Sequence, residues 1–146
     1  MSSLQLAQKL AESVEILDAV ANRTRRRAVE SLRDGTMDFA DYEQVDDLCD
    51  QVNAAARRLD AKVLGLALDG LEQPMEQLER ATAQLDKARS RIDKVQNVVQ
   101  IAGRLVVAGL AVAAMALDPS RLSAIAAAKA VADVALTIER VANAGD

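Results

Sequence analysis

Apolar residues recur three and four apart along most of this chain, a spacing that draws stripes on helical surfaces. Ala7, Leu10, Val14, Leu17, Ala21, Thr24 and Ala28 form the first stripe. Tyr42, Val45, Cys49, Val52, Ala56, Leu59, Val63 and Leu66 form the second. A third begins at Leu78 and passes through Ala81, Leu85, Ala88, Ile92, Val95, Val99, Ala102, Val106, Gly109 and Ala113 to Ala116 without interruption. Alternation of three and four is the spacing of helices that supercoil around one another. It predicts helices and no strands.

Stop and start signals divide the pattern. Asp34-Gly35, Gly70 and Asp118-Pro119-Ser120 each join a helix stop to a helix start. Ser2 and Gln5 have the spacing of a capping box, and Gly35 fits the residue after a helix end. Pro74 suits a first helical turn, and Asp118-Pro119 reads as a cap followed by a proline at the first helical position. The expectation is an all-α fold in one domain, 1–146: an elongated antiparallel bundle of helices at about 3–33, 38–69, 74–117 and 119–143. The third of these four would be about 44 residues and roughly 65 Å long.

Charge changes the picture along the rod. About a third of positions 1–96 are charged, and about half that fraction of 97–146, so an amphipathic charged part precedes an Ala/Val-rich hairpin. Folding back at Asp118 pairs positions whose numbers sum to about 237. That register faces Ala102 with Ala135, Gly109 with Ala128 and Arg104 with Asp133, and Ala116 continues the small-residue line. Small residues seven apart on both helices predict a close seam, with Arg104 and Asp133 paired inside it.

VVQIAGRLVVAGLAVAAMAL, residues 98–117, is long enough to cross a bilayer. Its aliphatic residues favour insertion by roughly 3 to 6 kcal/mol, and a central arginine opposes it by about 2.5 to 3.5 kcal/mol. A permanent span is therefore not the expectation. Burial against protein ranks first, and conditional entry into lipid second. The layout, a helical bundle carrying an apolar hairpin, resembles the soluble form of α-helical pore-forming proteins, although no short motif carries that resemblance.

Composition narrows the chemistry. Histidine is absent, which removes the commonest general base and transition-metal ligand. With one Phe, one Tyr and no Trp, burial falls to Ala, Val, Leu and Ile. The single Cys49 lies on a core stripe and has no cysteine with which to pair. Neither GxGxxG, GxxxxGK[ST] nor CxxC occurs, and no cofactor or metal is expected. The N-terminus lacks the basic region and apolar run of a secretory signal, so a cytoplasmic location is the default expectation.

The run RTRRR carries Arg23, Arg25, Arg26 and Arg27. Clustered arginine attracts phosphate, yet the net charge is -4 and no aromatic residue lies nearby on which a base could stack. Nucleic acid is not the expected partner. The antiparallel return of the second helix instead predicts pairing of Arg25 and Arg26 with Asp46, Asp47 and Asp50. The functional expectation is a non-enzymatic helical protein that assembles through 97–143 with itself or another helical protein. The alternative is a hairpin that enters lipid when the bundle opens.

Overall fold

A computed structural model of the chain describes residues 2–63 and 68–144, with the side chains of residues 3 and 60–63 left out. Its helices are α1 (Ser3–Asp34), α2 (Phe39–Val63), α3 (Glu72–Ala88), α4 (Val99–Leu117) and α5 (Arg121–Ala144), and a 3₁₀ segment, Arg89–Lys94, follows α3. No strand occurs among the described residues. The all-α expectation holds. The count of four does not, because the expected 74–117 helix is two helices joined by a corner.

Local chemistry accounts for the boundaries. Ser2 Oγ accepts from the Gln5 amide at 3.2 Å and the Gln5 side chain accepts from the Ser2 amide at 2.9 Å, the reciprocal capping box the spacing predicted. Gly35 ends α1 in the left-handed region at φ 78°, which a residue without Cβ adopts freely. Asp38 caps α2 by accepting from the Asp41 amide at 2.8 Å. At the start of α5, Ser120, not Asp118, accepts from the Ser123 amide, at 3.1 Å, and Ser123 Oγ accepts from the Ser120 amide at 2.9 Å. Helix α5 therefore begins two residues later than expected. The part of the expected second helix at 64–67, with Leu66 of its stripe, lies outside the described residues, as does the Val63 side chain.

The corner between α3 and α4 has a specific cause. Val95, at φ -85° and ψ 130°, is extended. Asn97 Oδ1 accepts from the Val99 amide at 3.0 Å, a local turn bond that competes with helix and starts α4. β-Branched Ile92, Val95, Val98 and Val99 crowd this stretch and have low helix propensity. The stripe conceals the break. Buried positions run Leu85, Ala88, Ile92, Val95, Val98, still three and four apart, through the corner itself.

Cross-helix contacts fix the directions. Arg25 meets Asp46 and Asp50, so α2 runs antiparallel to α1. Lys9 meets Glu79, Ser13 meets Thr82 and Arg23 meets Asp93, so α3 runs parallel to α1 about 70 positions on. Asn97 donates to Asp41 at 3.2 Å, so α4 starts beside the start of α2. Arg91 reaches Glu139 and Asn143, so α5 runs parallel to α3. In cross-section the helices follow the order α1, α2, α4, α5, α3 and back to α1, and α4 also touches α1.

One apolar core unites the five helices. The α1 stripe is buried throughout, as are Val45 to Leu59 in α2 and Leu78 to Val95 beyond α3, with Tyr42 half-buried. In α4 the buried line is Val98, Ile101, Leu105, Ala108, Val112 and Met115. It lies one residue from the expected 99, 102, 106, 109, 113, 116 line. A helix that is apolar almost all round gives periodicity nothing to discriminate. Ala102, Gly109 and Ala116 are buried on its flank, and Val99, Val106 and Ala113 are only half-buried. Leu105→Ala should therefore cost about 2 to 5 kcal/mol by leaving a cavity. Val107→Ala, at a site 52% exposed, should stay within about 0.5 kcal/mol. Urea denaturation of the two variants measures both, and equal costs would contradict this orientation of α4.

Candidate interaction surface

The small residues expected along the hairpin seam line two different cavities. Gly109 lines a small cavity with Val14 and Leu17 of α1 and Val52, Ala56 and Leu59 of α2. Ala102 and Ala116, seven residues to either side, share that line of α4 and are buried. Ala128 of α5 faces the other way, lining a groove with Gln77, Arg80, Ala81 and Gln84 of α3, and Ala135 continues its line. Gly109 thus borders α1 and α2, and Ala128 borders α3. The reason is that α4 must cover α2 as well as α5. The hairpin itself is antiparallel, with Arg140 donating to Gln100 at 3.5 Å.

Arg104 is exposed and Asp133 half-buried. No ion pair joins them among the described residues, so the dry pair expected inside a seam does not form. An exposed Arg104 keeps its hydration and avoids the desolvation that would have made pairing necessary.

The RTRRR run is a clasp across the bundle. Arg25 pairs with Asp46 at 3.2 Å and with Asp50, as expected. Arg26, expected to share those partners, is exposed with no ion pair among the described residues, and the same holds for Asp47. Arg23 grips Asp93 with two bonds, Nε to Oδ1 at 3.2 Å and Nη2 to Oδ2 at 2.6 Å. The hydrogen bond from Arg23 holds the Asp93 carboxyl below its usual range, and the same bond raises the guanidinium. Arg27 Nε donates to the Val95 carbonyl at 2.6 Å. The corner takes that carbonyl out of the regular α-helical ladder, and the arginine satisfies it. Linear spacing gave no hint of either bond, because both partners lie about 70 positions away.

Asp46, Asp47 and Asp50 bring their carboxylates within 4.8 Å of one another, and Arg25 engages two of the three. The Cys49 thiol, on the same helix, is pushed up to about 12 chiefly by burial. It stays protonated at neutral pH and has little nucleophilic character.

The outer surface is where α4 and α5 differ from the other helices. Of eight exposed large apolar residues among the described ones, six lie on these two: Val107, Leu110, Leu117, Leu122, Ile125 and Leu136. Helix α5 turns Leu122 and Leu136 outward at 80% and 66% exposure, while Ala124, Ala127 and Ala128 face inward. Both leucines of α5 thus stay in water while Val131, Val134 and Ile138 are buried among its alanines, and exposed leucines grouped on two adjoining helices mark an interaction surface. Comparison with family models, curated proteins and solved structures finds no match for this chain.

Three substitutions test these contacts. Nothing lies within 4 Å of a Cβ built on Gly109, so Gly109→Ala should stabilise by roughly 0.5 to 1 kcal/mol through helix propensity. A close small-residue seam would instead be destabilised, and thermal melting reads the sign. Arg27→Ala should cost about 1 to 3 kcal/mol by stranding the Val95 carbonyl, against under about 0.5 kcal/mol for exposed Arg26→Ala. Similar losses from both would remove the clasp.

Proposed function

We propose that this chain is a non-enzymatic helical assembly module that docks protein on the outward face of α4 and α5. The observation that carries the reading is the group of exposed apolar side chains on these two helices: Val107, Leu110 and Leu117 on α4, and Leu122, Ile125 and Leu136 on α5. Burying a leucine contributes about 1.5 to 3 kcal/mol, so a protein surface laid over Leu110, Leu117, Leu122 and Leu136 gains what the monomer leaves in water. Charged residues are spaced along the same side: Arg104, Lys129, Asp133 and Arg140. Such a mixture suits a protein interface with a polar margin better than a lipid-facing one.

A second reading keeps one observation of its own. Helix α4, at 19 residues and mean hydropathy 1.8, is long and apolar enough to span a membrane, and 44% of it is buried in the bundle. Entering lipid as a span would mean withdrawing Ile101, Leu105 and Val112 from the core, so it requires the bundle to open. The core burial of α4 favours the protein-docking reading.

Light scattering of the purified chain, beside binding of an apolar dye, tests the proposal. The expected result is a mass above the 15.6 kDa of one chain, or a monomer that binds the dye and loses that binding in Leu122→Lys/Leu136→Lys. A monomer at tens of micromolar that binds no dye contradicts it. Vesicle flotation with leakage, from neutral or anionic lipid, would establish the second reading in its place.

A further inference from the structure

The outward line of α5 reads Leu122, Ala126, Lys129, Asp133, Leu136, Arg140, four and three apart, and none of the six is buried. This is heptad spacing on the face of α5 opposite its buried one, with Lys129 bordering the groove against α3. The line is also palindromic in spacing. Reversing it about position 131 returns the same positions, so Lys129 falls on Asp133, Ala126 on Leu136 and Leu122 on Arg140.

We infer that the partner on this face is a second copy of the chain, packed antiparallel along α5 about a two-fold axis near residue 131. The inference rests on the assembly reading above and names its occupant. Charge complementarity selects the second copy. Lys129 would meet the partner's Asp133, and the axis repeats that contact. Neither side chain has an ion-pair partner among the described residues. Within one helix the two stand in the less favourable order, cation before anion, for a pair four apart.

Shape agrees with charge. Leu136 lies over the partner's Ala126, a large residue against a small one, as interdigitating layers require. The aliphatic stem of Arg140 covers the partner's Leu122 and leaves its guanidinium at the margin. A parallel arrangement would set Lys129 on Lys129 and Asp133 on Asp133, so charge also fixes direction. Arg140 hydrogen-bonds Gln100, an exposed residue of α4, which sets the outer line of α4 alongside this seam. Leu110 and Leu117 of that line enlarge the apolar area that the second copy covers.

Sedimentation equilibrium on the full chain and three variants tests the inference. The wild type should dimerise. Lys129→Asp and Asp133→Lys should each weaken the dimer by roughly tenfold, because two symmetric attractions become repulsions. Lys129→Asp/Asp133→Lys together should restore it to within about threefold, since the pairs are re-formed with signs exchanged. Lys129 is exposed and Asp133 half-buried, and neither has an ion pair among the described residues, so helical circular dichroism should stay constant. A dimer whose affinity ignores both single changes, or is not restored by the double change, overturns the α5 seam and leaves the assembly reading standing. A monomer that binds apolar dye overturns the second copy as occupant alone, and a monomer that binds none overturns both.

Discussion

The Arg27 guanidinium, fastened to the Val95 carbonyl at 2.6 Å, holds the corner on which the rest of the arrangement depends. Without that corner the apolar stripe from Leu78 to Ala116 would run along one rod. With it, α4 turns back beside α2 and closes the ring. Arg23 on Asp93 fixes the preceding turn and Asn97 on Asp41 the following one, so three bonds to α1 and α2 hold a ten-residue stretch, 89–98. The clasp is electrostatic and partly exposed, and it satisfies one orphaned carbonyl at the point where the helical ladder stops.

The corner also decides which faces of α4 and α5 look outward. Five helices in a ring bury more helix faces than a hairpin closed on itself, and the small residues of α4 and α5 are drawn to α1, α2 and α3. Alanine lets helices approach closely, but each one buries little area. The larger Leu110, Leu117, Leu122 and Leu136 are left on the far side. The exposed row of leucines is what remains once Leu105, Met115, Val131, Val134 and Ile138 have filled the inner side. It is also the feature that calls for a partner.

Helix formation, capping at Ser2 and the stripes of α1 and α3 were legible in the sequence because polar residues separate the apolar ones there and give the period contrast. The corner was not. Its buried residues at 92, 95 and 98 keep the three-four alternation that a straight helix would show, and the only local sign was Asn97 within a cluster of β-branched residues. The facing of α4 was misplaced by one residue for the opposite reason: from 98 to 117 nearly every position is apolar, so several phases fit equally well. Pairing of Arg25 with Asp46 and Asp50 followed from the turn at Gly35. The bonds of Arg23 and Arg27 depended on a third helix whose position no local pattern encodes. The α5 line at 122, 126, 129, 133, 136 and 140 was readable as spacing, but its exposure required the ring.

The most direct test of the corner is a distance. Gln77 on α3 and Ala114 on α4 are both exposed, and Cys49 is buried, so spin labels on cysteines introduced at 77 and 114 report on the two helices selectively. Pulsed electron resonance on labelled chain diluted into unlabelled chain should give a separation of about 15 to 30 Å, since neighbouring axes about 8 to 10 Å apart put helices two places apart around a ring of five at roughly 15 Å, to which the label arms add. A dominant separation of about 55 Å, the length of 37 residues of unbroken helix, would contradict the corner, the ring and the outward face derived from them.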